Sequence, residues 1–258
     1  MSSASRRQFL KTMSALAGLT VLPSRSASGF GTANAFDMPL LRYDSPTWNS
    51  RPSAIRRLLI DVDMRTNIRV VQDPAVVRPT IDELFTSPML AMTGDRAFPS
   101  FRDEEREALR RFLGAGGLWF VDSAEDRLDG GFRESMEREL SALFPGETLR
   151  RLPSDHVVFQ TYYLVDGAPG RVRVANHLDG LTLDGRTAVI YSHNDMMGAW
   201  ARDRFGNPEF AVHPGGDRQR EMATRLGVNL AMFALTLDYK EDQVHVPHIL
   251  RRRRWRVD

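Results

Sequence analysis

Three side chains suited to acid–base chemistry follow two predicted strands of the sequence. Asp122 comes directly after the apolar run Leu118–Val121. His193 and Asp195 come shortly after a second apolar run, Thr187–Tyr191. Carboxylates and imidazoles transfer protons near neutral pH and bind divalent cations. Ligands of open parallel sheets bind outside the carboxyl ends of the strands, an edge that we call the carboxyl edge. We therefore predict that the three residues meet there as candidate catalytic groups.

Further polar and aromatic residues near predicted strand ends complete a candidate ligand-binding set. The set comprises Tyr43, Asp44, Asp95, Ser123, Asn194 and Trp200. Their oxygen atoms can bind a cation or a polyol, and an aromatic ring can stack on a sugar. The alternative is structural, because Asp, Asn and Ser also favour turns and caps after strands, and aromatic side chains are commonly buried. These residue types leave open whether a metal takes part.

Histidine-bearing segments elsewhere offer weaker candidates. Asp155 and His156 could pair a carboxylate with a base, but adjacent residues on a helix point about 100° apart, so a capped turn is favoured. His245 and His248 have ligand-like spacing without other ligands nearby, which favours a packed or solvated segment. His213 precedes Pro and Gly residues that indicate an ordinary loop, with a lid as the alternative.

The sequence lacks the signatures of several enzyme classes. It has no cysteine, which excludes thiolate nucleophiles, thiolate zinc sites and iron–sulfur clusters. The G-x-S-x-G, P-loop, G-x-G-x-x-G and H-E-x-x-H patterns are also missing. The glycine-rich segment 114–117 follows a predicted helix, so it indicates a helix stop and not a phosphate cradle. No cofactor is predicted.

The elements that must position these side chains alternate along the chain. Continuous apolar runs predict strands at residues 39–42, 68–71, 88–93, 118–121 and 187–191. Apolar residues at helical spacing predict helices after residues 53 and 100 and across 132–143 and 222–237. Ser100 and Asp103 are expected to form a capping box, and residues 150–184 a less regular stretch. Apolar strands separated by amphipathic helices predict an α/β fold, a doubly wound and largely parallel sheet sandwich.

The N-terminus has the pattern of a twin-arginine export signal. Arg6 and Arg7 precede a short uncharged stretch at 12–23, and Ala33-Asn34-Ala35 forms a small-x-small cleavage site. The apolar segment is too short to anchor stably across about 30 Å of hydrocarbon. We expect residues 1–35 to be a signal peptide that the twin-arginine translocase recognises through Arg6 and Arg7, and the protein to be periplasmic. The alternative is a disordered basic N-terminus.

Residues 36–258 suit a single α/β domain with an arginine-rich C-terminal tail. Removal of residues 1–35 takes away basic residues and no acid, which changes the formal net charge from +2 to about −2. This balance argues against nucleic acid as a partner. No apolar run of transmembrane length follows, so no stable membrane span is expected. The run Arg251–Arg254 is expected to dock on the rest of the mature chain, which carries a net negative charge, or to stay solvated. Anionic lipid or another protein are the alternative contacts.

Ordered motifs over residues 39–254 resemble the bacterial family called domain of unknown function 4159. They include Leu41-Arg42-Tyr43, Gly116-Gly117-Leu118 with Asp122, Leu152-Pro153-Ser154-Asp155-His156, Tyr191-Ser192 with Asn194-Asp195, and Leu226-Gly227-Val228-Asn229. The resemblance implies a flavodoxin-like sandwich, distantly similar to the class I glutamine amidotransferase-like fold, and no known activity. Ser123 departs from the family pattern, in which a second acid commonly follows Asp122. If that acid were a metal ligand or a base, this chain would lack it.

These observations predict an exported protein that binds a small polar or anionic ligand at the carboxyl edge. One alternative is a hydrolase-type enzyme that uses Asp122, His193 and Asp195, with or without a divalent metal. Another is an envelope scaffold or interaction module. Two carboxylates and His193 within about 5 Å in a cleft would favour the enzyme. If these side chains are scattered, a binding role is favoured. If the carboxyl edge is filled by the protein itself, a scaffold role is favoured. The mature protein is expected to need no tightly bound metal to fold.

Overall fold

The computed structural model of the chain describes residues 35–253, with side chains as far as residue 236. The predicted signal residues Arg6 and Arg7 therefore lie outside the described residues. The same holds for the side chains of His245 and His248 and for those of the arginine run at 251–254.

A seven-stranded sheet forms the centre of the fold, in the order β2-β1-β3-β4-β7-β6-β5. Its strands are β1 Leu40–Leu41, β2 Val76–Val77, β3 Met89–Gly94, β4 Leu118–Ser123, β5 Arg150–Arg151, β6 Asp179–Leu183 and β7 Arg186–Ser192. The first five strands in this order run parallel to one another. β6 is antiparallel to β7, and β5 is antiparallel to β6. The carboxyl ends of β4 and β7 and the start of β6 therefore lie at the same edge.

Helices cover both faces of this sheet, as the doubly wound prediction requires. They are α1 Ala54–Arg65, α2 Ile81–Leu84, α3 Asp103–Gly114, α4 Gly131–Leu143, α5 Met196–Trp200 and α6 Gly216–Arg253. Leu58, Trp200 and Leu226 of α1, α5 and α6 share one core layer. Phe112 and Phe132 of α3 and α4 belong to the other. Within residues 35–253, no helix combines the length and the apolar character needed to cross a bilayer.

Helix α3 begins later than the sequence predicts. The carboxylate of Glu105 accepts a hydrogen bond from the backbone N–H of Arg102 at 2.8 Å, so the capping box uses these residues and the prediction for Ser100 and Asp103 is wrong. Phe101 is the reason: its ring is buried and lies 6.4 Å from that of Trp119. Packing of Phe101 keeps the chain extended through Arg102 and delays the helix.

The strand predicted at residues 68–71 is reduced to one bridge, between Val70 and Phe36. The edge strand follows later, at Val76–Val77. Ile68 and Val70 are partly buried against the core, so their apolar character reflects packing of side chains and not a continuous ladder. An apolar run indicates that a segment is buried, and both a strand and a packed loop can be buried.

The stretch predicted to be irregular, residues 150–184, contains two strands and a short 3₁₀ turn, Val157–Phe159. His156 caps this turn, with Nδ1 accepting from the amide of Val158 at 3.2 Å, which confirms the capped turn expected there. Asp184 and Gly185 join β6 to β7, and both have positive φ, 50° and 80°. Two such residues make the tight turn whose twist matches a β-hairpin.

Candidate functional site

The hairpin of β6 and β7 brings three titratable side chains to the carboxyl edge of β7. Asp179 pairs with Tyr191 across the two strands. Continuing this antiparallel register by two residues places His177 opposite His193. Residues two apart in a strand share a face, so all four side chains project on the side of the sheet that α4 covers. We call His177, Asp179 and His193 the His–Asp cluster.

A single carboxylate lies at the centre of the His–Asp cluster. Asp179 Oδ2 is 2.8 Å from His193 Nε2, and Asp179 Oδ1 is 3.4 Å from His177 Nε2. The two imidazole rings have centroids 5.5 Å apart and are inclined by 64°. One ligand atom from each residue lies within 4.8 Å of the other two. Each carboxylate oxygen therefore faces a different imidazole.

Arg133 in the first turn of α4 reaches the cluster from the helical layer. Its Nη1 lies 3.2 Å from Asp179 Oδ2 and 3.1 Å from His193 Nε2, while its Nε donates to Glu137 at 2.8 Å. The guanidinium also lies over the ring of Tyr191, 5.9 Å from the centroid. Arg133 thus provides positive charge directly beside the carboxylate of Asp179.

The inner half of this site is buried and the outer half is partly exposed to solvent. The side chains of His193 and Asp179 are 1% and 7% exposed, whereas those of His177 and Arg133 are 28% and 25% exposed. Although burial opposes ionisation of Asp179, its hydrogen bond with His193 and the charges around it lower its pKa. Burial lowers the pKa of His177, against the attraction of Asp179. At neutral pH the site therefore pairs a charged carboxylate with a neutral, lone-pair-bearing imidazole at His177.

The structure separates Asp122 and Asp195 from the environment of His193. Both carboxylates are fully buried and lie at the start of α5. Asp122 accepts from the backbone N–H groups of Met196 and Met197, at 3.0 and 2.7 Å. Burial, together with the nearby charge of Asp195, raises the pKa of Asp122 to about 7. These contacts satisfy helix-terminal amides, whereas His193 contacts the carboxylate of Asp179 instead.

Asp195 also joins two distant parts of the chain. Arg51 donates to its two carboxylate oxygens, from Nε at 2.9 Å and from Nη2 at 2.6 Å. Arg171 donates to the same carboxylate. Asp195 has a positive φ of 52° and caps α5 by accepting from Gly198 N–H at 2.9 Å. The hydrogen-bonding capacity of this buried carboxylate is therefore used by partners within the protein, which link Arg51, Arg171 and α5 beneath the edge.

Three residues of the predicted ligand-binding set make hydrogen bonds within the protein. The buried hydroxyl of Tyr43 donates to the carbonyl of Thr93 at 2.9 Å. Ser123 Oγ accepts from the amide of Glu125 at 3.3 Å. The fully buried Asn194 uses its side-chain oxygen and nitrogen to bind backbone groups of the loop at 168–175. Asn194 thereby fixes the path of this loop over the edge.

The other three members of that set lie outside the His–Asp cluster. Trp200 lies in the core on the opposite face from Tyr191, with Nε1 donating to the carbonyl of Ala223 at 2.9 Å. Asp44 is exposed. Asp95 is half-buried and pairs with Arg96 at 2.9 Å. The structure thus gathers only His193 of the nine predicted site residues into the His–Asp cluster.

Sequence reasoning missed Arg133, His177 and Asp179. The Asp184-Gly185 pair carries the signal that could have found the two cluster residues, because Asp-Gly between alternating apolar residues predicts a hairpin. That hairpin sets His177 and Asp179 opposite the end of β7. Arg133 has no comparable local signal, since only the packing of α4 brings it to the edge.

Comparison with known proteins identifies the family but no activity. The model of one family, described as "Domain of unknown function", matches residues 37–235. No curated protein matches the sequence significantly. The matched region contains the whole sheet and the candidate site, and it covers more than half of the chain. The chain therefore belongs to the family Domain of unknown function (DUF4159).

Proposed function

We propose that this protein is exported and binds a small anionic ligand at the carboxyl edge of its sheet, beside Arg133 and His177. One observation carries the proposal: the single carboxylate of Asp179 is surrounded by three nitrogen-bearing side chains. Arg133 and the two histidines together carry more N–H groups than reach this carboxylate. A bound anion would accept from the N–H groups that do not contact Asp179.

Arg133 offers the donor best placed for such a ligand. Within the described part of the chain, its Nε binds Glu137 and its Nη1 binds Asp179, so Nη2 remains for an anion. His177 is the other partly exposed member of the site. Arg151 lies in register with Asp179 on β5 and is exposed, which adds positive charge to the same rim. Two arginines and an imidazole at one rim favour phosphate, sulfate or carboxylate groups.

Export is supported by the order of sequence features in residues 1–35. The arginine pair, the short apolar stretch and the Ala-x-Ala site are arranged as in twin-arginine signals. The twin-arginine translocase is the partner that this pattern implies, and the periplasm is the proposed location. The ligand site then lies in the part of the chain that remains after cleavage.

A hydrolase-type enzyme is the second candidate, favoured by the contact between Asp179 and His193. A carboxylate 2.8 Å from an imidazole nitrogen orients that ring. His193 would then act as the base, with Asp179 as its positioning carboxylate in place of Asp122 and Asp195, the catalytic acids that the sequence suggested. His193 is almost fully buried, so Arg133 must move before a substrate can touch it.

Calorimetric titration of the purified chain with inorganic phosphate tests the binding proposal. Phosphate should bind the wild type, and Arg133→Gln should weaken binding at least about tenfold by removing a charge-assisted donor. Arg111→Gln is the matched control, because Arg111 also lies on a helix and pairs with a glutamate, Glu107, four residues away. Equal affinity in wild type and Arg133→Gln would refute the anion site.

The same preparations separate the alternatives. Glucose, a neutral polyol, should not bind. Release of p-nitrophenol from p-nitrophenyl phosphate, lost in His193→Gln, would favour the hydrolase. A wild type that binds neither phosphate nor glucose would favour a scaffold role instead.

A further inference from the structure

We propose that His177, Asp179 and His193 bind a divalent first-row transition metal ion, for which Zn²⁺ is the probe. This inference goes beyond the proposed anion site and does not rest on it. The anion would contact the donors of Arg133 and His177 at the rim. The metal would bind imidazole nitrogens of His177 and His193 and a carboxylate oxygen of Asp179. It would replace the hydrogen bond between His193 and Asp179 after the proton of that bond leaves Nε2.

The positions of the three ligand atoms fit a metal ion. With metal–ligand bonds of about 2.0–2.2 Å, neighbouring ligand atoms of a tetrahedral or octahedral site lie roughly 3–3.5 Å apart. The two nitrogen-to-oxygen separations at Asp179 are 2.8 and 3.4 Å. The remaining separation, between the two histidines, does not exceed 4.8 Å. Side-chain rotations that bring the two histidine nitrogens closer together by up to about 1.5 Å therefore convert the cluster into a three-ligand site.

The chemistry of the ligands selects the class of metal. Two imidazoles and one carboxylate suit zinc, iron, nickel and copper, whereas Mg²⁺ and Ca²⁺ prefer oxygen ligands. The chain contains no cysteine, so no thiolate competes for a soft metal. Three protein ligands leave at least one coordination position open, as in metal sites that also bind a small molecule.

The residues around the three ligands hold them in place and already position a positive charge beside them. The antiparallel register of β6 and β7 places His177 across from His193, with Asp179 two residues further along the same chain segment as His177. The ring of Tyr191 lies 4.9 Å from that of His193 and limits its rotation. Arg133 supplies the positive charge that Asp179 needs and retains Glu137 as a second partner. A metal ion can therefore replace this guanidinium at Asp179 without leaving Arg133 unpaired.

Calorimetric titration of the chelator-treated full-length chain with Zn²⁺ tests the inference. We expect one ion per chain. His177→Ala and Asp179→Asn should each weaken binding at least as much as the loss of an outer partner of a metal site, about 10- to 100-fold. His177 is the key position because its side chain is partly exposed and contributes little to the core. Mg²⁺ should not bind, and Co²⁺ should give visible absorption bands from nitrogen and oxygen ligands.

Two controls examine other histidines. His213→Ala removes an exposed histidine outside the cluster and should leave the Zn²⁺ affinity unchanged. The double variant His245→Ala, His248→Ala tests the C-terminal pair and should also bind as wild type. Unchanged affinity in both His177→Ala and Asp179→Asn, or loss of binding in the double variant, would overturn the inference.

Two further measurements test the metal site without relying on the ligand variants. X-ray absorption of the Zn²⁺-loaded wild type should show two imidazole ligands per ion, and fewer than two would overturn the inference even if a variant failed to fold. Arg133→Gln separates the two proposals, because it removes a competing cation and an anion donor at once. This variant should bind Zn²⁺ at least as tightly as wild type, whereas its affinity for phosphate should fall. If it no longer bound Zn²⁺, the metal proposal would be contradicted and the anion proposal would be unaffected.

Discussion

Asp122 and Asp195 share the N-terminal end of one short helix and divide its free amides between them. Asp122 accepts from the first two residues of α5 and Asp195 from the third. Both carboxylates are fully buried. Two acids this close are tolerated because backbone donors satisfy one, and the partly buried arginines Arg51 and Arg171 satisfy the other.

Asp195→Asn should lower the free energy of unfolding by about 3 kcal/mol, because it leaves two partly buried guanidinium groups without a charged acceptor. Urea denaturation of wild type and variant measures this loss. Asp44→Asn is the control: Asp44 is exposed, and its replacement should change stability by no more than about 0.5 kcal/mol. Similar small effects at both positions would show that Asp195 is not a structural tie.

The raised pKa of Asp122 should make the free energy of unfolding fall as the pH rises from about 4 to about 7. Its pKa is about 7 in the folded protein against an ordinary value of 3.8. The folded state therefore holds the proton more tightly, and this stabilisation is lost as the pH rises through the folded pKa. Asp122→Asn cannot ionise, so it should cost more stability at pH 5 than at pH 8, by at least about 1 kcal/mol. Equal costs at the two pH values in urea denaturation would contradict the raised pKa.

Gly170→Ala should destabilise the fold by about 1–3 kcal/mol through overpacking. A Cβ at this position would fall well inside van der Waals distance of the backbone carbonyl of Asn194, which cannot move without disturbing the strand end. Gly114→Ala is the matched control, since a Cβ there meets no atom within 4 Å and improves helix propensity. Thermal denaturation should therefore show a lower melting temperature for the first variant and an equal or higher one for the second.

Replacement of both Arg6 and Arg7 by Lys should retain the precursor in the cytoplasm. Charge is kept in this variant, but the paired guanidinium groups that the translocase recognises are lost. Cell fractionation followed by immunodetection of precursor and mature forms measures the effect. Arg25 lies between the apolar stretch and the cleavage site. Its replacement by Lys should leave export intact. Undiminished export of the double variant would remove the twin-arginine assignment.

The sequence by itself determined the central layers of this fold. β3, β4 and β7 are buried along nearly their whole length, so they appear as continuous apolar runs that can be recognised without knowing their neighbours. The stripe of Ala108, Leu109, Phe112 and Leu113 likewise identifies α3 and its inward face. Apolar periodicity is local along the chain, and it therefore predicts elements and their buried sides.

Tertiary structure alone decided which polar residues meet and which are closed off. Asp122, His193 and Asp195 all follow central strands, yet the backbone of α5 and Arg51 saturate the two acids. His193 instead meets Asp179 through the register of an antiparallel hairpin, and Arg133 from 60 residues away. Residue type indicates what a side chain can bind. Burial and hydrogen-bond partners depend on contacts between distant segments, and these contacts exist only once helices and strands have packed together.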